Sequence, residues 1–453
     1  MIRILLLAAL VTLAACWEDG PSASRETSPG GIEYTLLDLP EHEDVTIHVA
    51  WPTDWAYRSG TGKAAPVTGA QVILAGGAEG HPAGVVVERF ADLGSEGNIH
   101  VAFNDHVIGE LTFERDRMAE TVEIANAHLR APALDQAWFE RIRHGIAQNM
   151  AEAQARHVHA GYDAVRWAVF GTQPLRNAMS LDEQGTFEAL TRDDVAAWHA
   201  ETFTRNPEAV VVAGGIDAEA AGAALDALFE GLPESGRAVS REATADFSPR
   251  RILLHRPHAE VTNLAFIAPL PPSRMGGEIE DQILVHALGG DDQGVLFEAV
   301  RTGLRASYGF GAGIANYTRE HRVLLMAGEV EADRLAEVER VVRAAFARFR
   351  EHGPQGSLAD RKAPLEAIFS ELADFLVDQA RSELQGALDG HAPGRSLELN
   401  EELASVTEDA MKARLRDDFP GADGFIVIAV SPDAEGLPGA CVIQVPREAA
   451  DCP

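Results

Sequence analysis

Three scarcities mark this chain of 453 residues: it has only three cysteines, 6% aromatic residues, and 38 Lys plus Arg against 70 Asp plus Glu. So few cysteines exclude a small fold stapled by many disulfides. A formal net charge of -32 excludes phosphate-backbone binding as a main task, because that needs a basic face, so nucleic acid is not an expected partner. The acidity keeps the chain soluble and, if it selects anything, favours a basic peptide or partner. No Gly-x-Ser-x-Gly elbow, Walker loop or dinucleotide fingerprint occurs. What is present is a 46% hydrophobic sequence longer than one core usually supports, which predicts two domains.

The first stretch, "MIRILLLAALVTLAAC", carries Arg3 and then an uncharged apolar run from Ile4 to Ala15 that is too short to span a bilayer as a mature helix. This is the form of a secretory signal. It ends in Leu13-Ala14-Ala15-Cys16, which resembles a bacterial lipobox, with Cys16 as the lipidated residue. The polar, Gly-, Pro- and Ser-rich segment behind it reads as a flexible tether. A periplasmic protein held by lipid to a bacterial membrane, the outer one being favoured, is the expectation. In that oxidising compartment the two other cysteines, Cys441 and Cys452, are predicted to form a disulfide that pins the C-terminus.

The chain repeats itself. "EDVTIHVAW" (43–51) is echoed by "AEVTNLAFI" (259–267), and "ERDRMAE" (114–120) by "EADRLAE" (331–337), at offsets of 216 and 217. A shared offset at two separated places points to a duplicated domain. Runs such as "YTLLDL", "VTIHVAW", "NIHVAF", "VIGELTF" and "AVVVAGG" read as strands. Met118, Val122, Ala125 and Leu129 form one helical stripe, and Leu335, Val338, Val342, Ala345 and Phe349 another, with Gly353-Pro354 as its stop. The fold class is therefore α+β: two homologous domains, each a mostly antiparallel sheet packed with long helices. The predicted organisation is a signal peptide at 1–15, a lipidated tether at 16–31, a first domain at 32–235, a linker at 236–250, a second domain at 251–446 and a C-terminal tail at 447–453.

Two segments carry a resemblance to a known family. "LTRDDVAAWHAETFTRNPEAVVVAGGIDAEAA" (190–221) is similar to the closing helix, strand and glycine turn of the first domain of the insulinase/pitrilysin zinc peptidases. "LVHALGGDDQGVLFEAVRTGLRASYGFGAG" (284–313) resembles their second-domain segment, with its Leu-Gly-Gly turn and an Arg followed seven residues later by a Tyr. The resemblance implies that Arg301 and Tyr308 hold a substrate backbone: an Arg fork donates to carbonyls, and a Tyr hydroxyl donates to a carbonyl or its developing oxyanion. Asn98 resembles the Asn that begins the family's substrate-pairing edge strand, which implies binding of a peptide by strand addition.

The catalytic half is missing. The family's metal site is His-x-x-Glu-His with a distal Glu, two His sharing a zinc while the Glu between them activates water. No such motif occurs in the sequence. An ungapped register places it over Gly69, Val72 and Ile73, and the distal Glu over Asn149. The pairs His157/His159, His255/His258 and His100/His106 do not make a closed ligand set by spacing and read as surface or hydrogen-bonded histidines. No metal is expected in this chain. By resemblance to a family in which two-domain subunits pair, it is expected to heterodimerise with a zinc-bearing homologue that supplies the metal. The other reading is a peptide-binding or structural scaffold with no role in proteolysis.

Overall fold

The computed structural model describes residues 20–154, 156–178, 184–307 and 309–453. Two six-stranded sheets organise them. The first contains β1 (Ser22–Thr27), β2 (Glu33–Asp38), β3 (Asp44–Pro52), β4 (Glu96–Ala102), β5 (His106–Glu114) and β6 (Ala209–Gly214), in the order β1-β2-β6-β3-β5-β4. The second contains β7 (Arg250–His255), β8 (Thr262–Leu270), β9 (Phe310–Asn316), β10 (Arg322–Val330), β11 (Ile426–Ser431) and β12 (Cys441–Ile443), in the order β12-β7-β11-β8-β10-β9. Five strands of each sheet correspond in order, and β6 to β11 repeats the 217-residue spacing seen in the sequence. Most pairings are antiparallel; the exceptions are β2 with β6, β7 with β11, and β7 with β12.

Period-two alternation decides which side of each sheet becomes core. In β3, Val45, Ile47, Val49 and Trp51 join the first core, while Thr46, His48 and Ala50 face the other way. The predicted stripes behave as helices: Val122 and Leu129 are buried in helix Met118–Arg130, with Met118 and Ala125 packed at the core's edge. Every residue of the second stripe is buried in helix Leu335–His352, which stops at Gly353 with φ +76. At the end of β6, Gly214 has φ +129, and a Cβ there would meet the carbonyl oxygen of Asp44 at 2.3 Å, so the turn requires glycine.

The second face of each sheet is covered by a helix from the other half. Helix His157–Phe170 buries Ala164, Val165, Ala168 and Val169 against Ile252, Ile267, Ile428 and Val430 of the second sheet. Reciprocally, helix Leu376–Asp389 buries Leu376, Ala380 and Leu384 against Leu37, Ala50, Ile108 and Val211 of the first. The two halves are thus interlocked.

Two expectations are revised. The tether at 16–31 contains β1, which pairs in register with β2 from Ser22↔Asp38 to Thr27↔Glu33, and Ser28 Oγ donates to Asp226 at 2.5 Å. "SASRET" carries no apolar signal because it is an edge strand whose backbone, not its side chains, makes the pairing. The tail at 447–453 is likewise part of the body: Ala449 and Cys452 are buried beneath helix His157–Phe170, and Cys441 and Cys452 are joined by a disulfide. The segment 236–250 lacks regular structure before β7 but is pinned to the first half, with Ser240 N donating to Asp54 Oδ2 at 3.1 Å and Arg241 Nη2 to Glu208 Oε2 at 2.8 Å. Cys16 lies outside the described residues, and no helix among those described is long and apolar enough to cross a membrane.

Candidate functional site

The positions assigned to the lost metal motif lie on helix Ala64–Ala75, which is apolar on nearly every face and therefore built as a core element. Val72 and Ile73 are fully buried. Gly69 is packed under an indole: a Cβ at this position would meet Trp198 Cζ3 at 2.5 Å and Val195 Cγ1 at 3.1 Å. Asn149 is exposed on helix Gln136–Gln154, which packs against the Ala64 helix. Among the described residues no group of three or more His, Cys, Asp or Glu is placed to hold a metal ion. The positions on this helix that the register assigns to the zinc motif are thus part of the hydrophobic packing.

Beside that helix a cleft of about 460 Å³ stays open. Lys63 at the N-cap and Val67 and Gln71 of the helix form one wall, Ile99, His100 and Val101 of β4 the floor, and Asn316 and Tyr317 at the end of β9 close it from the second half. β4 ends the first sheet and pairs only with β5 among the described residues, so its outer backbone edge is unpaired. The β4–β5 turn is unusual, with Phe103 at φ +50 and Asn104 at φ +60 and Asp105 N bonded to Ala102 O at 3.1 Å. It joins the two halves. Asn104 Nδ2 donates to Tyr317 O at 2.8 Å, the amide of Arg319 donates to Asp105 Oδ2 at 2.6 Å, and the Tyr57 hydroxyl donates to Asp105 Oδ1.

Of the substrate-binding residues singled out from the sequence, neither Arg301 nor Asn98 lines this cleft. Arg301 is exposed on the π-helical turn Glu298–Gly303, upstream of β9; Tyr308 lies outside the described residues. Asn98 points to the second face of the first sheet, where its Nδ2 donates to Glu110 Oε2 at 3.1 Å. Glu110 also accepts two bonds from Arg381 of the Leu376 helix, at 2.7 and 3.0 Å. Burial alone would raise the Glu110 pKa, but Arg381 and Asn98 outweigh it and hold the carboxyl at about 2. Burial likewise pushes neighbouring His48 down to about 4 despite the pull of Glu110.

Two of the remaining candidate histidines are engaged structurally. His106 is buried and bonded to Glu208 at 3.0 Å, and His255 is bonded to the carbonyl of Pro432 at 3.1 Å. His157 and His159 start a helix, where a spacing of two turns them apart. Sequence reasoning missed Lys63, Gln71 and the Asn104–Tyr317 contact. The Phe-Asn-Asp run at the turn is the signal that could have found the last of these, since Asn and Asp tolerate left-handed backbone. Burial lowers the Lys63 ammonium to about 8, helped by the Arg166 guanidinium nearby.

Residues 189–364 match the family model of the peptidase M16 inactive domain. No curated protein matches the sequence. Solved structures share the architecture. The peptidase M16 inactive domain from Pseudomonas fluorescens superposes with a TM-score of 0.78 at 14% identity, covering 91% of this chain and 98% of that one. A protease from Helicobacter pylori gives 0.77 at 13%, covering 91% and 100%. The first half of the periplasmic protease PqqL from Escherichia coli gives 0.67 at 14%, covering 95% and 96%. These superpositions support the two-domain α+β fold and, at such identities, the fold alone.

Proposed function

We propose that this chain, a homologue of the M16 or insulinase peptidase family without the family's zinc motif, is a lipid-anchored periplasmic subunit that binds peptide and pairs with a zinc-bearing homologue. The observation that carries the reading is the contrast along helix Ala64–Ala75. The positions that the register assigns to the metal motif are closed by core packing, yet the cleft beside the helix, over the edge of β4 left unpaired among the described residues, is open. A peptide in that cleft adds as a strand to β4, and Arg301 with Tyr308 contributes donors to its carbonyls. The partner's zinc-activated water does the hydrolysis, so this chain binds and positions without cutting. Cys16 supplies the anchor.

The test is recovery of the full chain from membranes of its host, with metal analysis and a peptide-cleavage assay on what co-purifies. A zinc-containing homologue, with cleavage reduced in the Arg301→Ala/Tyr308→Ala variant and membrane retention lost in Cys16→Ala, is the expected result. A chain that purifies alone and cleaves unstructured peptides by itself would sink the reading. The scaffold alternative draws support from Asn98, whose amide is committed to Glu110, the carboxylate that grips Arg381 of the other half, rather than to the cleft. It gains if the Arg301→Ala/Tyr308→Ala variant leaves the assembled complex fully active.

A further inference from the structure

The cleft has a charge character opposite to that of the chain. In a sequence with 70 acidic residues, none of the residues lining this cleft is acidic. Its one cation is Lys63, one of only three lysines present. Lys362 shows what a structural lysine does here: its ammonium donates to the carbonyls of Ala404 and Val406 at 2.8 and 2.7 Å. Lys63 makes no such bond. Among the described residues no hydrogen bond or ion pair engages its ammonium, and its side chain is only partly exposed.

The surroundings explain why none of the described residues satisfies it. The charge close enough to act on Lys63 is the Arg166 guanidinium, which is another cation. Asp163, the carboxylate nearest to Arg166, is paired with that arginine. Asp105, next to the lining turn, has both oxygens occupied, by the Tyr57 hydroxyl and by the amide of Arg319. A half-desolvated ammonium beside a like charge is costly unless an anion reaches it. Gln71 and Asn316, exposed on opposite walls, add amide donors that are likewise unused among the described residues.

We infer that Lys63 is a specificity residue of this cleft, taking the carboxylate of a bound peptide, so that the chain selects acidic peptides. The inference rests on the peptide-binding reading above and reverses the preference for basic partners that net charge alone implies. The carboxylate reaches Lys63 from an Asp or Glu side chain or from a peptide C-terminus; the chemistry is the same. The unpaired edge of β4 fixes the peptide backbone, and Lys63 reads one charge along it.

Fluorescence anisotropy of the full chain with short strand-forming peptides tests this. Four peptides differ only at one point: a central Glu, a central Gln, a central Lys, all blocked at both ends, and the Gln peptide with a free C-terminal carboxylate. Measurements at about 0.15 M ionic strength, where the Debye length is about 8 Å, screen the repulsion of the acidic surface. The Glu peptide or the free-carboxylate peptide is expected to bind about tenfold tighter than the blocked Gln peptide. Which of the two does so identifies the source of the carboxylate. Lys63→Met is expected to abolish the difference and Lys63→Arg to retain it, which separates loss of charge from loss of fold. Equal affinities for all charges, a preference for the Lys peptide, or undiminished discrimination in Lys63→Met overturns the inference while peptide binding itself stands. Failure of every peptide to bind overturns both.

Discussion

Gly69→Ala measures how completely the lost metal site has become core. Two terms oppose each other. Replacing a mid-helix glycine by alanine stabilises by about 0.5–1 kcal/mol through backbone entropy. Overpacking a filled core costs about 1–3 kcal/mol. Here the new Cβ would lie 2.5 Å from Trp198 Cζ3, 2.6 Å from Cε3 and 3.1 Å from Val195 Cγ1. The indole has little room to yield, because it is fully buried and packed edge-on against Phe203 with ring centroids 5.5 Å apart. The overpacking term therefore takes its upper value, and a net loss of about 2 kcal/mol is expected in denaturant unfolding. The partner variant is Trp198→Phe. Trp198 Nε1 has no hydrogen-bond partner among the described residues, so this change removes volume without removing a bond seen there. In that background Gly69→Ala is expected to be neutral or stabilising, a coupling of about 2 kcal/mol between touching residues. A Gly69→Ala protein that is more stable than the parent, or one equally destabilised in both backgrounds, refutes the packing argument. The same geometry implies that writing His, Glu and His into positions 69, 72 and 73 yields a misfolded chain rather than a zinc enzyme.

Three further outcomes follow from the contacts between halves and at the C-terminus. Arg381→Ala leaves Glu110 with the Asn98 amide alone and is expected to cost about 1 kcal/mol at neutral pH, modest because Arg381 is half exposed. With the Glu110 pKa at about 2, the contribution is complete above the unfolded carboxyl range and is lost as pH falls toward 2, so the variant's stability should fall less steeply below about pH 4.5. His48 has a depressed pKa of about 4, so the folded state loses stability as pH falls from about 6.5 toward 4, and His48→Gln should flatten that interval in denaturant titrations. Replacing Cys441 and Cys452 by serine opens a loop of sequence separation 11 and is expected to lower stability by about 2–3 kcal/mol, with faster proteolysis of the C-terminal turn; unchanged unfolding would show that burial of Ala449 alone holds the segment.

The duplication was legible because its signal is local. "EDVTIHVAW" and "AEVTNLAFI" became β3 and β8, central strands whose alternation survives divergence because one face must stay apolar. The two helical stripes were legible for the same reason. The exchange of helices between halves was not, since the apolar side of His157–Phe170 says that a sheet covers it but not which sheet. β1 was invisible because an edge strand can be stabilised by backbone pairing with no apolar side chains. At the site, the absent motif could be read from sequence with no alignment, whereas the consequence of its loss could not: only packing shows Gly69 closed by Trp198 from a helix 129 residues further on.

That last point bears on how such a chain keeps its cleft. A metal site holds its helices apart from within, through ligands that must converge on an ion. Here the Ala64 helix is held by the indole of Trp198 beneath it, and the opposite wall is held by Asn104 and Asp105 gripping the turn that follows β9. The cleft is thus bounded by one contact inside the first half and two between halves, none of which involves the residues proposed to touch peptide. The buried positions of the Ala64 helix belong to hydrophobic packing while the edge of β4 and the Lys63 wall face the open cleft, which is why the two sets of residues should respond independently to substitution: Gly69→Ala in stability alone, Lys63→Met in peptide discrimination alone.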